Sequence, residues 1–153
     1  MKPLETNVEE VLRQAIQSEV ETRVYYQKMA ERAGSPEVRN RMLQLADGDL
    51  VHRAKMERKY RETMGENPPA PAPVTIEIAA DIVQLDMAHA LKHALERERD
   101  SESYYRFMAE RVPNTELGRL FMELAEMEWK HKTDLQAEYD LIVADPEQFL
   151  ADI

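Results

Sequence analysis

The fold is decided by residues 8–29, VEEVLRQAIQSEVETRVYYQKM. Apolar side chains recur in this stretch at alternating steps of four and three residues, which places them on one face of an α-helix. Glu19 interrupts that apolar face near its middle. We therefore expect the Glu19 carboxylate to point into the protein core, where an ionised carboxylate is costly unless it is paired or bound to a cation.

Three later segments repeat this pattern. Each has an apolar face that an acidic residue interrupts at the corresponding level, and in two of them a histidine follows the acid three positions later. The four faces consist of Val8, Leu12, Ala15, Glu19, Thr22, Tyr26 and Met29; Val38, Met42, Leu45, Asp49, His52 and Met56; Met87, Leu91, Ala94, Glu98, Ser101, Tyr105 and Met108; and Leu117, Phe121, Leu124, Glu128, His131 and Leu135. The pattern predicts four helices whose polar residues meet in one layer.

The chain is an internal duplication. Residues 7–61 align with residues 86–140 without a gap, and both segments contain a Tyr-Tyr pair and a Met-Ala-Glu-Arg run at equivalent positions. Capping residues at Asn7, Ser35, Asp86 and Asn114 predict helices near 8–33, 36–63, 87–112 and 115–142. The connections inside each repeat are short, so each repeat is predicted to be an antiparallel helical hairpin.

The linker over residues 65–85 contains four prolines near its start, so it cannot begin as a helix. An extended chain of this length can run from one end of a bundle to the other. We therefore predict a single all-α domain over residues 1–153, an antiparallel four-helix bundle with one long crossover. Asp145 and Pro146 indicate the start of a short C-terminal helix. Its side chains Phe149, Leu150 and Ile153 would pack on the end of the bundle; a homodimer contact is their alternative use.

Composition limits the function classes. Hydrophobic residues make up 43% of the chain and there are only four glycines, which favours a helical bundle over a β-rich domain. The net charge of −10 disfavours nucleic acid and anionic membranes as partners. There is no cysteine, which excludes disulfides and cysteine-ligated metals. The first ten residues lack the apolar stretch of a signal peptide and no apolar run would span a membrane, so we expect a cytoplasmic protein.

Six ionisable side chains are predicted to lie at one level of the bundle: Glu19, Asp49, His52, Glu98, Glu128 and His131. Glu19 lies about fifteen residues before the first hairpin turn and Asp49 about fifteen after it, so the two face each other. A glutamate from each of two helices and an acid-x-x-His from each of the other two is the ligand arrangement of di-iron and di-manganese carboxylate bundles. The alternative is a buried polar network that fixes the register of the helices.

At these residues the chain resembles the rubrerythrin-like branch of the ferritin-like di-iron carboxylate superfamily. The resemblance runs from Val8 to Leu141 and rests on Glu19 with Tyr26 seven residues later, on Glu98 with Tyr105 seven residues later, and on the sequence Glu-Trp-Lys-His at 128–131. It implies a centre of two iron ions that reacts with hydrogen peroxide or dioxygen. Manganese and zinc are the alternative ions.

Carried over by position, the resemblance implies that Glu19 and Glu98 are terminal ligands. It makes Asp49 and Glu128 bridging ligands, with His52 and His131 supplying one imidazole per metal and no catalytic residue beyond these ligands. Tyr26 and Tyr105 would either pack in the core with a hydroxyl that reaches a partner or donate hydrogen bonds to ligand carboxylates.

Three features of the chain depart from the family pattern. Asp49 stands where the family has glutamate, so we expect the two bridging positions to be unequal. Peroxidase-type rubrerythrins have a further glutamate one turn after the third-helix ligand, and that position is Ser101 here, with Glu102 beside it. The cysteine-containing rubredoxin domain is also absent, which implies an external electron donor. The sequence is consistent with an oxidoreductase, with an iron-binding or storage-related ferroxidase, and with a structural bundle that holds a redox-inactive ion.

Overall fold

The fold is known from a computed structural model that describes residues 7–144. Four helices follow one another along the chain: α1 (Val8–Glu31), α2 (Pro36–Met64), α3 (Met87–Arg111) and α4 (Glu116–Ala144). The predicted all-α class is thus confirmed, and each helix boundary falls within two residues of its predicted position. None of the helices in this part of the chain is long and apolar enough to cross a membrane. The predicted C-terminal helix lies outside the described residues.

Three of the four predicted N-caps are present. The side chains of Asn7, Ser35 and Asp86 each accept a hydrogen bond from the backbone N–H three residues later, over distances of 3.3, 3.3 and 2.8 Å. Pro36 follows its cap at the start of α2, where its missing N–H costs nothing. These local interactions fix where each of the first three helices begins.

The predicted cap of α4 at Asn114 is wrong by one residue. Asn114 has a φ of 59°, a left-handed conformation that asparagine tolerates better than most residues. Thr115 caps the helix instead, because its Oγ1 accepts a 3.0 Å hydrogen bond from the backbone N–H of Gly118. The turn between α3 and α4 is therefore as long as the turn between α1 and α2, but it lies one residue later than the repeat suggests.

The linker crosses the full length of the bundle. Leu85, at its end, accepts a hydrogen bond from the Gly34 N–H (2.9 Å) and donates one to the Arg32 carbonyl (2.8 Å), so it lies against the turn between α1 and α2. The linker starts at the far end of α2, a helix of 29 residues and about 43 Å. Between these ends, Gln17 of α1 pairs with both the N–H and the carbonyl of Ala72. This long crossover gives the bundle its ferritin-like topology.

The core consists of two apolar clusters, and all four helices contribute to each. The first includes Leu12 and Ile16 of α1, Met56 of α2, Tyr105 of α3 and Phe121 of α4. The second, nearer the turn between α1 and α2, includes Tyr26, Met29, Met42, Leu91 and Leu135. Buried polar side chains occupy the layer between the clusters: Glu19, Thr22, Asp49, His52, Glu98, Glu102 and Glu128.

Candidate metal centre

All six predicted site residues lie in this polar layer. Glu19 comes from α1, Asp49 and His52 from α2, Glu98 from α3, and Glu128 and His131 from α4. The four carboxylates and His52 are buried, whereas His131 is half-buried. The three-residue spacing of acid and histidine on α2 and α4 puts both side chains of each pair on the inward face of the helix. The apolar faces of the four helices thus bring the six groups together.

His52 is the centre of the arrangement. Its Nδ1 lies 2.9 Å from Glu128 Oε1 and 3.6 Å from Glu19 Oε1. The contact with Glu128 is an ion pair, although its angles are not those of a directed hydrogen bond. The imidazole rings of His52 and His131 are nearly parallel, with centroids 5.8 Å apart. One histidine therefore contacts carboxylates from two other helices, while the second stacks on it from the outer side.

Two overlapping groups of three side chains have the spacing of a metal site. Glu19, Asp49 and His52 form one group, and His52, Glu128 and His131 form the other, with ligand atoms within 4.8 Å of one another. Glu98 lies beside the second group, within hydrogen-bonding reach of Glu128. The structure thus brings together all six residues that the sequence singled out.

Several buried polar atoms of this layer lack a hydrogen-bond partner. One oxygen each of Glu19, Asp49 and Glu128 is buried and unpartnered. A buried carboxylate oxygen without a donor loses its hydration and gains nothing in return. Carboxylate oxygens and imidazole nitrogens are the ligands that iron, manganese and zinc prefer. The donor set and its unpartnered atoms therefore fit one or more bound cations.

Without a cation, the site has to retain protons. Burial raises the pKa of Asp49 to about 9, and the nearby carboxylates of Glu19 and Glu128 add to the effect. Burial likewise raises the pKa of Glu19, and it raises that of Glu98 well above the ordinary value. Since crowding these carboxylates in a dry layer disfavours their charged forms, a cation would compete with protons for the same oxygens.

The two histidines have opposite electrostatic environments. Burial alone would lower the pKa of His52, but its close contacts with the Glu128 and Glu19 carboxylates outweigh burial and raise this pKa to about 10. For His131, burial dominates and lowers the pKa. Glu128 is also buried, yet its interactions with Glu98 and His52 lower its pKa. These shifts favour the charged forms of both His52 and Glu128.

The two tyrosines differ as well. Tyr26 is fully buried, and its hydroxyl donates a 2.9 Å hydrogen bond to Glu98 Oε1. This contact crosses from α1 to α3 and holds the Glu98 carboxylate in one orientation. Tyr105 occupies the equivalent position in the second repeat, but its buried hydroxyl has no hydrogen-bond partner. The carboxylate-bonding alternative for these tyrosines therefore applies to Tyr26.

Sequence reasoning missed one buried acid of the layer. Glu102 is 8% exposed and accepts hydrogen bonds from Lys132 (2.6 Å) and Arg106 (2.9 Å). Although burial opposes it, the hydrogen bond from Lys132 lowers the pKa of Glu102. Arg106, four residues later on the same helix, was the available signal for this pairing. Glu102 is engaged by two cationic side chains and is not among the groups with metal-site spacing.

The fold and site define a ferritin-like helical bundle with a candidate carboxylate–histidine metal centre. Within that class, the chain belongs to the rubrerythrin family, whose sequence pattern matches residues 10–139. The solved structure of a hypothetical protein from Pyrococcus furiosus is similar, with a TM-score of 0.63, 27% sequence identity and 94% of each chain covered. No curated protein matches the chain.

Proposed function

We propose that this protein is a non-haem di-iron oxidoreductase that reduces hydrogen peroxide or dioxygen. The main support for the proposal is that three buried carboxylates with unpartnered oxygens converge on the imidazole of His52, in a layer between two apolar clusters. A polar network that only fixed helix register would be expected to satisfy its own hydrogen bonds. Membership of the rubrerythrin family supports iron as the metal.

The six side chains would hold two ions. Glu19, Asp49, Glu98 and Glu128 would supply carboxylate ligands, and His52 and His131 would supply imidazoles. Two ferrous ions would supply the two electrons that, with two protons, convert one peroxide molecule into two water molecules. Asp49 has a shorter side chain than the aligned Glu128, so the two halves of the site would hold their ions unequally.

The surrounding residues position the ligands and limit the access of water to the two ends of the layer. Tyr26 holds Glu98 through its hydroxyl, and burial between α1 and α4 fixes the orientation of His52. The apolar clusters exclude bulk water from either end of the layer, which strengthens electrostatic interactions within it. Fixed ligand positions and limited access of water are the contribution that a protein makes to such chemistry.

Repeated turnover would depend on electrons from outside this chain. There is no cysteine to ligate an iron–sulfur centre. An external electron donor would therefore have to return two electrons after each peroxide molecule is reduced. The donor is a proposed partner that the site requires and that the chain does not supply.

The test is a single-turnover and a steady-state experiment on the same preparation. The protein is loaded with Fe(II) without oxygen, desalted, mixed with hydrogen peroxide, and then supplied with a chemical reductant. We expect rapid oxidation and then repeated turnover. A single stoichiometric oxidation without turnover would instead indicate a ferroxidase or storage role. Retention of zinc without any oxidation would indicate a structural ion, and a protein that retains no metal would overturn the proposal.

A further inference from the structure

A cavity of about 190 Å³ lies between α2 and α4 on one side of the candidate site. Asp49, Glu98 and His131 form its inner wall, while the exposed side chains of Gln44 and Asp134 line its outer part. This volume is more than one water molecule needs. The cavity therefore connects the protein surface to three of the six candidate ligands.

Gly48 lines this cavity at the middle of α2. Glycine in a helix interior costs about 1 kcal/mol relative to alanine. Neither backbone geometry nor packing requires a glycine at position 48, because a Cβ there would have no atom within 4 Å. The missing side chain of Gly48 thus leaves open space directly beside Asp49.

In the second repeat, the position equivalent to Gly48 has a large side chain. The residue aligned with Gly48 is Met127, and the residue aligned with Asp49 is Glu128. Met127 packs against the first apolar cluster, and its Sδ lies 3.6 Å from Lys55 Nζ. Two adjacent positions are therefore smaller in the first repeat than in the second, and both face the cavity.

An ion pair ties α2 to α4 at the outer part of the cavity. Arg41 lines it and donates a 3.1 Å hydrogen bond from Nε to Glu138 Oε2, which ties α2 to α4. A second guanidinium nitrogen of Arg41 bonds the other oxygen of the same carboxylate. A two-point ion pair of this kind resists separation of the helices. Widening the opening would require breaking it.

We propose that Gly48 opens the route by which the oxidant reaches the metal centre, and that the width of this route selects hydrogen peroxide or dioxygen over bulkier hydroperoxides. The proposal rests on the proposed function for the nature of the oxidant. The aligned Met127 closes the corresponding route in the second repeat, so access is one-sided.

Three variants and one control test the route. Gly48→Met places in the first repeat the side chain that the second repeat has. Met127→Gly removes that side chain, and the third variant combines both changes. Asp47→Met is the matched control, since position 47 is exposed on the same helix and does not line the cavity. Metal content is measured for each variant first, so that loss of binding is not mistaken for loss of access.

The first readout needs no metal. Hydrogen–deuterium exchange at Cε1 of His131, followed by mass spectrometry on the metal-free protein, reports solvent access to the inner wall. We expect exchange at His131 to slow about tenfold in Gly48→Met and to be unchanged in Asp47→Met. Exchange at the exposed His89 serves as an internal standard. Unchanged exchange at His131 in Gly48→Met would overturn the route, whether or not the protein binds iron.

The second readout is the second-order rate constant for oxidation of the Fe(II)-loaded protein by hydrogen peroxide. We expect it to fall about tenfold in Gly48→Met and to recover in the double variant, where the second repeat supplies the opening. The native protein should react more slowly with tert-butyl hydroperoxide than with hydrogen peroxide. A Gly48→Met variant as fast as the native protein, or a double variant that is not rescued, would contradict the proposal. Absence of any oxidation in the native protein would count against the proposed function alone.

Discussion

The two halves of the candidate metal centre have the same residue spacing and different environments. In the first repeat, His52 is 2% exposed and contacts the carboxylates of two other helices. In the second repeat, the equivalent His131 is half-buried and lines the cavity to the surface. The pKa of His52 is raised by its carboxylate partners, whereas burial lowers that of His131. Duplication of the chain has preserved the position of each histidine but not its charge.

The aligned acidic residues also differ. The charged form is disfavoured in the first repeat and favoured in the second. Burial raises the pKa of Asp49, while Glu128, one methylene longer, reaches His52 and has a lowered pKa. The preceding positions differ too, with Gly48 beside the open cavity and Met127 packed against Lys55. The repeated spacing therefore determines the level and helix face of each candidate ligand. The side chains around each candidate ligand determine its protonation and its access to solvent. The following changes test that distinction, beginning with the largest expected effect.

Glu128→Ala should abolish paired metal binding. Glu128 contacts His52 and is close enough to Glu98 to share a proton, so its loss removes a donor and disturbs two others. We expect affinity for the second ion to fall by about 100-fold or more, with loss of peroxide oxidation. Metal titration and single-turnover oxidation measure both effects. Glu123→Ala, at an exposed position of the same helix, should change neither. Normal binding in Glu128→Ala would show that this ligand assignment is wrong.

The metal-free protein should lose stability as the pH rises from about 7 to 9. Asp49, with a folded pKa of about 9, and His52, with one of about 10, both retain protons that the unfolded chain has released. Because the folded state binds more protons, its stability is greatest below the ordinary pKa values of 3.8 and 6.5 and is lost as pH rises through the folded ones. Each retained proton contributes at most about 1.4 kcal/mol per pH unit.

Asp49→Asn should flatten this dependence, since asparagine keeps the shape of the side chain but cannot ionise. Urea unfolding in the presence of a chelator, at several values between pH 7 and 9, gives the slope of the free energy of unfolding. We expect the variant to show a smaller fall than the native protein, and Asp47→Asn, at an exposed neighbouring position, to match the native protein. Equal slopes in all three proteins would contradict the protonation described for Asp49.

The sequence predicted the positions of these side chains but not their protonation. The apolar faces located all four helices and the level at which six ionisable side chains meet, because helix periodicity alone fixes which face a residue occupies. The pairing of Glu102 with Lys132 joins α3 to α4, and the opposite pKa shifts of His52 and His131 depend on which carboxylates each histidine contacts. Such features arise from contacts between helices, which periodicity within one helix does not specify.

Glu102→Gln should reduce stability without affecting metal binding. Glu102 accepts charged hydrogen bonds from Lys132 and Arg106, and neutralising it leaves both cations with a weaker acceptor. We expect a loss of about 1–2 kcal/mol in the free energy of unfolding. Metal stoichiometry should remain that of the native protein. Loss of metal from the variant would show that Glu102 takes the place of the glutamate that the family has at the position of Ser101. In that case, the role of Glu102 is not limited to the contact between α3 and α4.

The two buried tyrosines should respond differently to loss of the hydroxyl. Tyr26→Phe removes the 2.9 Å hydrogen bond to Glu98 and should cost about 1 kcal/mol in the metal-free protein. Tyr105→Phe removes a buried hydroxyl that has no partner, so we expect a change near zero. Chemical unfolding of both variants gives the comparison directly. Equal losses would show that the two repeats are more alike at this position than their hydrogen bonds indicate.

The central claim is that the six converging side chains form one centre for two metal ions. It is tested most directly by counting the ions. The protein is equilibrated with Fe(II) under anaerobic conditions, desalted, and analysed for metal per chain, with parallel samples in Mn(II) and Zn(II). We expect two ions per chain. Their binding should release protons, because Asp49 and His52 are protonated at neutral pH without metal. Retention of none of the three metals would contradict it.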